Sequence, residues 1–278
     1  GRKRLLPRAI SAVSHDGKWA LGVTYGRVGR LREVVGYSGA KDPNPDDPAP
    51  QNDGVFLMDL AAGKSKLVVS IARVYESLVK KHSLLKGCHL WFNHTVFSKN
   101  DTRFLFLARA NLPPKQEMQT AMFTANLDGS ELREAIPFDK SVSHFDWRDD
   151  KQIIATFSID GTCRKHVLFT DGQADYKVVG DGFLDFDGHC TFSPDRDWIA
   201  TDCKRGATMQ QSLLIYNVRT GQKQVLYSGD MREKIYISGD VRCDFHSRWN
   251  QAGDQICFDA IEPANGTRQV HIAYLKGL

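Results

Sequence analysis

Thr191-Phe192-Ser193-Pro194-Asp195-Arg196-Asp197-Trp198-Ile199 is an apolar strand end, a short polar turn and a second apolar strand. Asp, Asn, Gly and Pro make such turns between β-branched or aromatic runs, so the stretch reads as a β-hairpin. Degenerate copies occur on both sides of it. They are Ala12-Val13-Ser14-His15-Asp16-Gly17-Lys18-Trp19-Ala20-Leu21, Val96-Phe97-Ser98-Lys99-Asn100-Asp101-Thr102-Arg103-Phe104-Leu105, Asp146-Trp147-Arg148-Asp149-Asp150-Lys151-Gln152-Ile153-Ile154 and Arg248-Trp249-Asn250-Gln251-Ala252-Gly253-Asp254-Gln255-Ile256. The later copies recur every ~45–57 residues, the period of propeller blades.

A second hairpin follows each of these. Its strands include Val55–Leu60, Met122–Leu127, Val167–Thr170, Leu214–Val218 and Val270–Leu275. Two hairpins make four strands, so the chain is predicted to be an all-β β-propeller of four-stranded blades with five blades visible. The repeats cover about 5–70, 89–136, 141–180, 187–228 and 241–278, as a single domain. Two segments interrupt them. Ser38 to Asp53 carries Pro43, Pro45, Pro48 and Pro50 and reads as an exposed loop. Ile71, Val74, Tyr75, Leu78 and Val79 fall at helical spacing and predict a short amphipathic helix over about 71–84.

Composition narrows the function classes. The 278 residues are 41% hydrophobic and 25% charged, which excludes a disordered or collagen-like chain. No apolar run approaches the ~18–20 residues that cross a bilayer as a helix. Lys and Arg number 37 against 33 Asp and Glu, a net charge of +4 that is too small and scattered to indicate nucleic acid. The six cysteines include no Cys-x-x-Cys pair, and no Gly-x-Ser-x-Gly elbow is present. The Asn-x-Thr triplets at Asn93 and Asn265 match glycosylation acceptors only by coincidence, since Asn93 falls within a predicted strand. The start, Gly1-Arg2-Lys3-Arg4, has neither Met nor a hydrophobic leader, so localisation is not legible from it.

The histidines are the informative feature. Three residues before Phe97, Trp147, Phe192 and Trp249 stand His94, His144, His189 and His246, four of the nine histidines of the chain. The first strand of a blade lines the channel, so the four are expected at one rim. If Phe192 pairs near Ile199, His189 lies across from Asp202; by the same count His246 lies across from Asp259. Cys243 precedes His246 by three residues, so His189, His246, Cys243 and Asp202 form a candidate N/S/O set for a divalent metal. His94 and His144 are better suited to proton transfer.

The Phe-Ser-Pro-Asp hairpin at 192–195 resembles the TolB-like β-propeller repeat. Trp91-Phe92-Asn93-His94, Ser143-His144-Phe145-Asp146-Trp147, Gly188-His189-Cys190-Thr191-Phe192-Ser193 and Arg242-Cys243-Asp244-Phe245-His246-Ser247-Arg248-Trp249 resemble the propellers of the oligogalacturonate and ulvan lyases. That resemblance implies a polysaccharide lyase that cleaves a uronate-containing glycan by β-elimination, with an acidic poly- or oligosaccharide as partner. It implies His144 or His94 as base with Asn93 assisting, Arg164 and Arg242 (and Arg109) for the substrate carboxylate, and Tyr176 or Tyr236 as acid. Lyases of this kind hold metal through histidines and a residue three places before one of them. Here Cys243 replaces an amide and Arg248 stands where a further histidine is expected, which favours zinc over manganese and allows a structural ion. A bacterial periplasmic or secreted protein is the expected setting. Such propellers have seven blades, so the resemblance also implies that Gly1 is not the native start and that up to two blades precede it; the alternative is a five-bladed ring closed by residues near Leu5. The alternative reading is a non-catalytic TolB-like module that binds protein or glycan.

Overall fold

The computed structural model describes residues 3–37, 39–159, 161, 163–239 and 241–275. It consists of two compact units, Gly1–Val142 and Ser143–Leu278.

The first unit holds two antiparallel sheets in which each strand pairs with the next in sequence. One is β1 (Ala12–Val13), β2 (Trp19–Gly22), β3 (Gly54–Asp59) and β4 (Lys64–Ser70). The other is β5 (Trp91–Phe97), β6 (Arg103–Leu112), β7 (Glu117–Asn126) and β8 (Arg133–Ile136). Val55, Val69, Trp91, Phe104, Phe106 and Phe123 pack between them as one core. Helix α1 (Tyr25–Leu31) and helix α2 (Ile71–Val79) complete the unit. The latter buries Ile71, Val74 and Leu78 and starts at Ser70, whose Oγ accepts the Arg73 N–H. The helix expected over 71–84 therefore exists but stops at Val79, before a 3₁₀ turn at Ser83–Leu85.

The segment read as an exposed loop is only partly so. Pro50 and Asp53 are buried. The buried Arg27 guanidinium of α1 donates to the carbonyl oxygens of Asn44, Asp47, Pro48 and Leu90 at 2.8–3.1 Å. An internal cation thus takes the place of solvent for backbone groups that prolines keep out of any sheet.

The second unit holds three sheets, again in sequential order. They comprise β9 (Phe145–Trp147), β10 (Gln152–Ser158), β11 (Arg164–Thr170) and β12 (Tyr176–Val179); then β13 (Thr191–Phe192), β14 (Trp198–Arg205), β15 (Gln210–Asn217) and β16 (Lys223–Asp230); then β17 (Arg248–Trp249), β18 (Gln255–Ile261) and β19 (Arg268–Tyr274). The last has three strands among the described residues. Ile154, Leu168, Phe192 and Ile199 fill the space between the first two sheets, and Trp198, Leu213, Phe245 and Phe258 that between the second and third. Side-chain bonds tie the first strands together: the Asp146 carboxylate accepts the Phe192 N–H (2.9 Å), and Trp249 Nε1 donates to the Thr191 carbonyl (3.3 Å).

The hairpin turn that defines the repeat has a physical cause. Ser193 Oγ accepts the Trp198 N–H (3.0 Å) and donates to Asp195. Ser14 does the same with Trp19 and Asp16, and Ser98 with Arg103 and Asn100. The residue three beyond each serine is left-handed: φ is +70° at Gly17, +59° at Asp101 and +67° at Arg196. Glycine meets that demand without strain at Gly17. No helix among the described residues is long and apolar enough to cross a membrane. All six cysteines are free.

Candidate functional site

His144, His189 and His246 precede β9, β13 and β17 at matching positions, and the packing of those first strands brings their rings into a row. The centroids of His144 and His189 are 3.7 Å apart and those of His189 and His246 are 4.0 Å apart. Gly188 lets the chain enter this row, because a Cβ there would lie 2.1 Å from the Asp202 carbonyl oxygen.

Asp202 is the anchor. It lies on β14, where Phe192 pairs with Ile199, so the cross-strand count of His189 to Asp202 holds. Its buried carboxylate accepts His189 N–H (2.7 Å), His189 Nδ1 (2.9 and 3.0 Å), Phe245 N–H (3.1 Å) and His246 N–H (3.3 Å). Burial alone would raise its pKa; the His189 bonds and charge override it and hold the group far below the ordinary carboxylate range. With Nδ1 held by Asp202, Nε2 is the ring nitrogen of His189 left for a ligand, the orientation that a carboxylate imposes on a metal-binding imidazole. His246 is left-handed, with φ +45°, and its N–H bond to Asp202 helps fix that conformation.

At one end of the row, Asp187 links two candidate catalytic groups. Its Oδ1 accepts Thr156 Oγ1 (2.7 Å) and lies 3.8 Å from His144 Nε2, while Oδ2 lies 3.5 Å from Arg164 Nε. Thr156 Oγ1 also accepts the His144 N–H (3.1 Å). Burial, then the neighbouring His189, pushes the His144 pKa down to about 4, so its imidazole is neutral at neutral pH.

At the other end, ligand atoms of His189, Asp244 and His246 lie within 4.8 Å of one another. Lys204 Nζ donates to Asp244 Oδ1 and to the Ile237 carbonyl (2.7 Å), and Arg242 Nε donates to Asp244 Oδ2 (2.7 Å). Although burial opposes it, the Lys204 bond and charge keep Asp244 ionised. Two imidazoles and one carboxylate with open positions fit a divalent ion.

The structure thus changes the ligand set read from the sequence. Beside His189 and His246, the ligand atom that the structure brings within reach is that of Asp244. Asp202 orients His189 from behind, and Cys243 is outside the group. The Cys243 side chain is buried, and burial, then Asp259, pushes its thiol pKa up to about 11. The group His189–Asp244–His246 contains no sulfur, and such a nitrogen–oxygen set suits manganese as well as zinc.

The remaining sequence candidates lie on other elements. Tyr176 lies on β12, the far edge of its sheet from β9, with its ring edge-on to Phe157. The Tyr236 hydroxyl donates to the Gly266 carbonyl (3.0 Å), a bond between loops. Asn93, His94 and Arg109 belong to the first unit. There Arg109 is 4% exposed and sits across from Trp91, buried rather than offered to a substrate. His94 is exposed at a break in the β5–β6 register. Asp187, Asp244 and Lys204 were missed. The signal for the first two was present, since Asp-x-His occurs at 187–189 and again at 244–246.

These blades and their connections define an all-β propeller protein that resembles the TolB-like β-propellers. Among solved structures, an oligogalacturonate lyase in complex with manganese superposes with a TM-score of 0.62 at 14% identity over 95% of this chain. The oligogalacturonate lyase of Vibrio parahaemolyticus gives 0.54 at 10% over 93%, and TolB of Acinetobacter baumannii 0.50 at 16% over 78%. The chain spans 64%, 63% and 45% of those proteins, respectively. At such identities the likeness establishes the fold. No protein-family model matches the chain, and no curated protein matches its sequence.

Proposed function

We propose that the histidine row of the second unit is the active site of a lyase that cleaves acidic, uronate-containing oligosaccharides by β-elimination. The observation that carries this reading is the position of the His144 ring, next to Arg164 through Asp187 and one ring away from a candidate divalent-ion site.

β-Elimination needs a neutralised uronate carboxylate, a base for the C5 proton and departure of the C4 oxygen. Arg164 is suited to the carboxylate, because a guanidinium pairs with it through two parallel bonds. His144 takes the C5 proton; the electrons of the C5–H bond form the C4–C5 double bond, and the C4–O bond breaks. The departing oxygen acquires a proton from solvent. A divalent ion held by His189, Asp244 and His246 supplies, when bound, further positive charge to the carboxylate. Asp202 keeps His189 and the His246 backbone in place through the cycle.

The test is incubation of the purified protein, with and without manganese, with oligogalacturonate, ulvan and other uronates, following ultraviolet absorption of the unsaturated product. A rise with one of these, lost in His144→Ala, is expected. Absence of product from every uronate removes the lyase reading and leaves a glycan- or protein-binding propeller.

A further inference from the structure

We propose that Lys204 sets the affinity of the His189–Asp244–His246 group for a divalent cation, by competing with the ion for the Asp244 carboxylate. The inference rests on the metal-binding reading of that group.

Both oxygens of Asp244 already carry a cationic donor, Lys204 Nζ on Oδ1 and Arg242 Nε on Oδ2. A carboxylate oxygen has a second lone pair, so sharing with a metal is sterically open. The obstacle is charge. A dication that joins this carboxylate must approach a +1 ammonium on one oxygen and a +1 guanidinium on the other. Close like charges in a partly desolvated site repel strongly. The two cations are not equivalent. Arg242 lies in the same loop as Asp244, and its guanidinium also donates to the Gly239 carbonyl. Lys204 is on β14, two residues after Asp202, so their side chains share one face of the strand. That one strand therefore acts on the site in two opposed ways. Asp202 makes His189 a better ligand, and Lys204 makes Asp244 a poorer one.

Lys204 is fixed at this post by a second bond, to the Ile237 carbonyl at 2.7 Å. Its effect on the ion is separable from that bond. Lys204→Gln keeps an N–H donor for Ile237 and Asp244 but carries no charge, whereas Lys204→Met removes both.

The experiment is calorimetric titration of manganese chloride into chelator-treated full chain: wild type, Lys204→Gln, Lys204→Met, and a His189→Ala/His246→Ala variant with and without Lys204→Gln. Thermal melting checks that each is folded. The proposal expects both Lys204 variants to bind manganese about tenfold or more tightly than wild type, the scale of one charge-assisted hydrogen bond. Binding in Lys204→Gln where wild type shows none supports it as well. Equal or weaker binding in Lys204→Gln, with wild-type binding lost in the double-histidine variant, overturns the role of Lys204 and leaves the metal site standing. Tightening that persists when Lys204→Gln is combined with the histidine changes overturns the proposal, because the ion is then elsewhere. No binding by any of the proteins overturns both.

Discussion

Asp202 carries more of the site than any other single residue. One buried carboxylate fixes the ring of His189, the backbone of His189 and the backbone of the Phe245–His246 turn. Replacing it by Ala leaves those donors without an acceptor, and Asp202→Ala is expected to lose ~2–4 kcal/mol of stability. Its metal affinity should fall ~10–100-fold, the usual cost of losing the carboxylate behind a ligating imidazole. Denaturant unfolding and metal titration measure the two effects. Asp202 was legible in the sequence, because a hairpin register converts a count into a contact across the strands. Asp244 is marked by the Asp-x-His repeat, but its pairing with Lys204 is not legible. Their contact joins β14 to a loop outside the strand register, and no count along the chain reaches it.

At the level of elements, the hairpins and the proline-rich loop between β2 and β3 are legible, whereas helix α1 ahead of that loop is not. The Ser-x-Asp turn is written in the sequence, since the serine hydroxyl and the acidic side chain satisfy the turn locally. Helix α1 has seven residues and two glycines, too short and too weak to form without tertiary contacts, so no local pattern announces it. What it does is place Arg27. Replacing this side chain by Met takes one donor from each of four backbone carbonyls, of which those of Asn44 and Pro48 keep a backbone N–H donor. Arg27→Met is expected to destabilise the protein by ~2–4 kcal/mol, read by urea unfolding, while Arg30→Met, whose guanidinium is a third exposed, should cost much less.

For the molecule as a whole, the fold class follows from repetition. Every described sheet is a meander in chain order, which is what five copies of one hairpin pair predict. Stability should depend on pH in a direction set by buried neutral histidines. His166 is fully buried, with Nδ1 against the Leu184 carbonyl and Nε2 against Thr201 Oγ1, and burial lowers its pKa. His144 is lowered to about 4. In the unfolded chain both bind a proton near pH ~6.5; the folded chain refuses it until lower pH. Their contribution is thus present above ~6.5 and lost as pH falls toward the folded values. Melting temperature should decline from pH ~7 toward pH ~4.5, less steeply in His166→Gln; a flat profile contradicts this account of the buried histidines.

The proposed site needs residues before two neighbouring first strands to hold one divalent ion. Equilibrium dialysis of the full chain against manganese, followed by elemental analysis, tests it most directly. One ion per chain is expected, and none in the His189→Ala/His246→Ala variant. No bound ion in the wild type, or an ion retained when both histidines are gone, would contradict it.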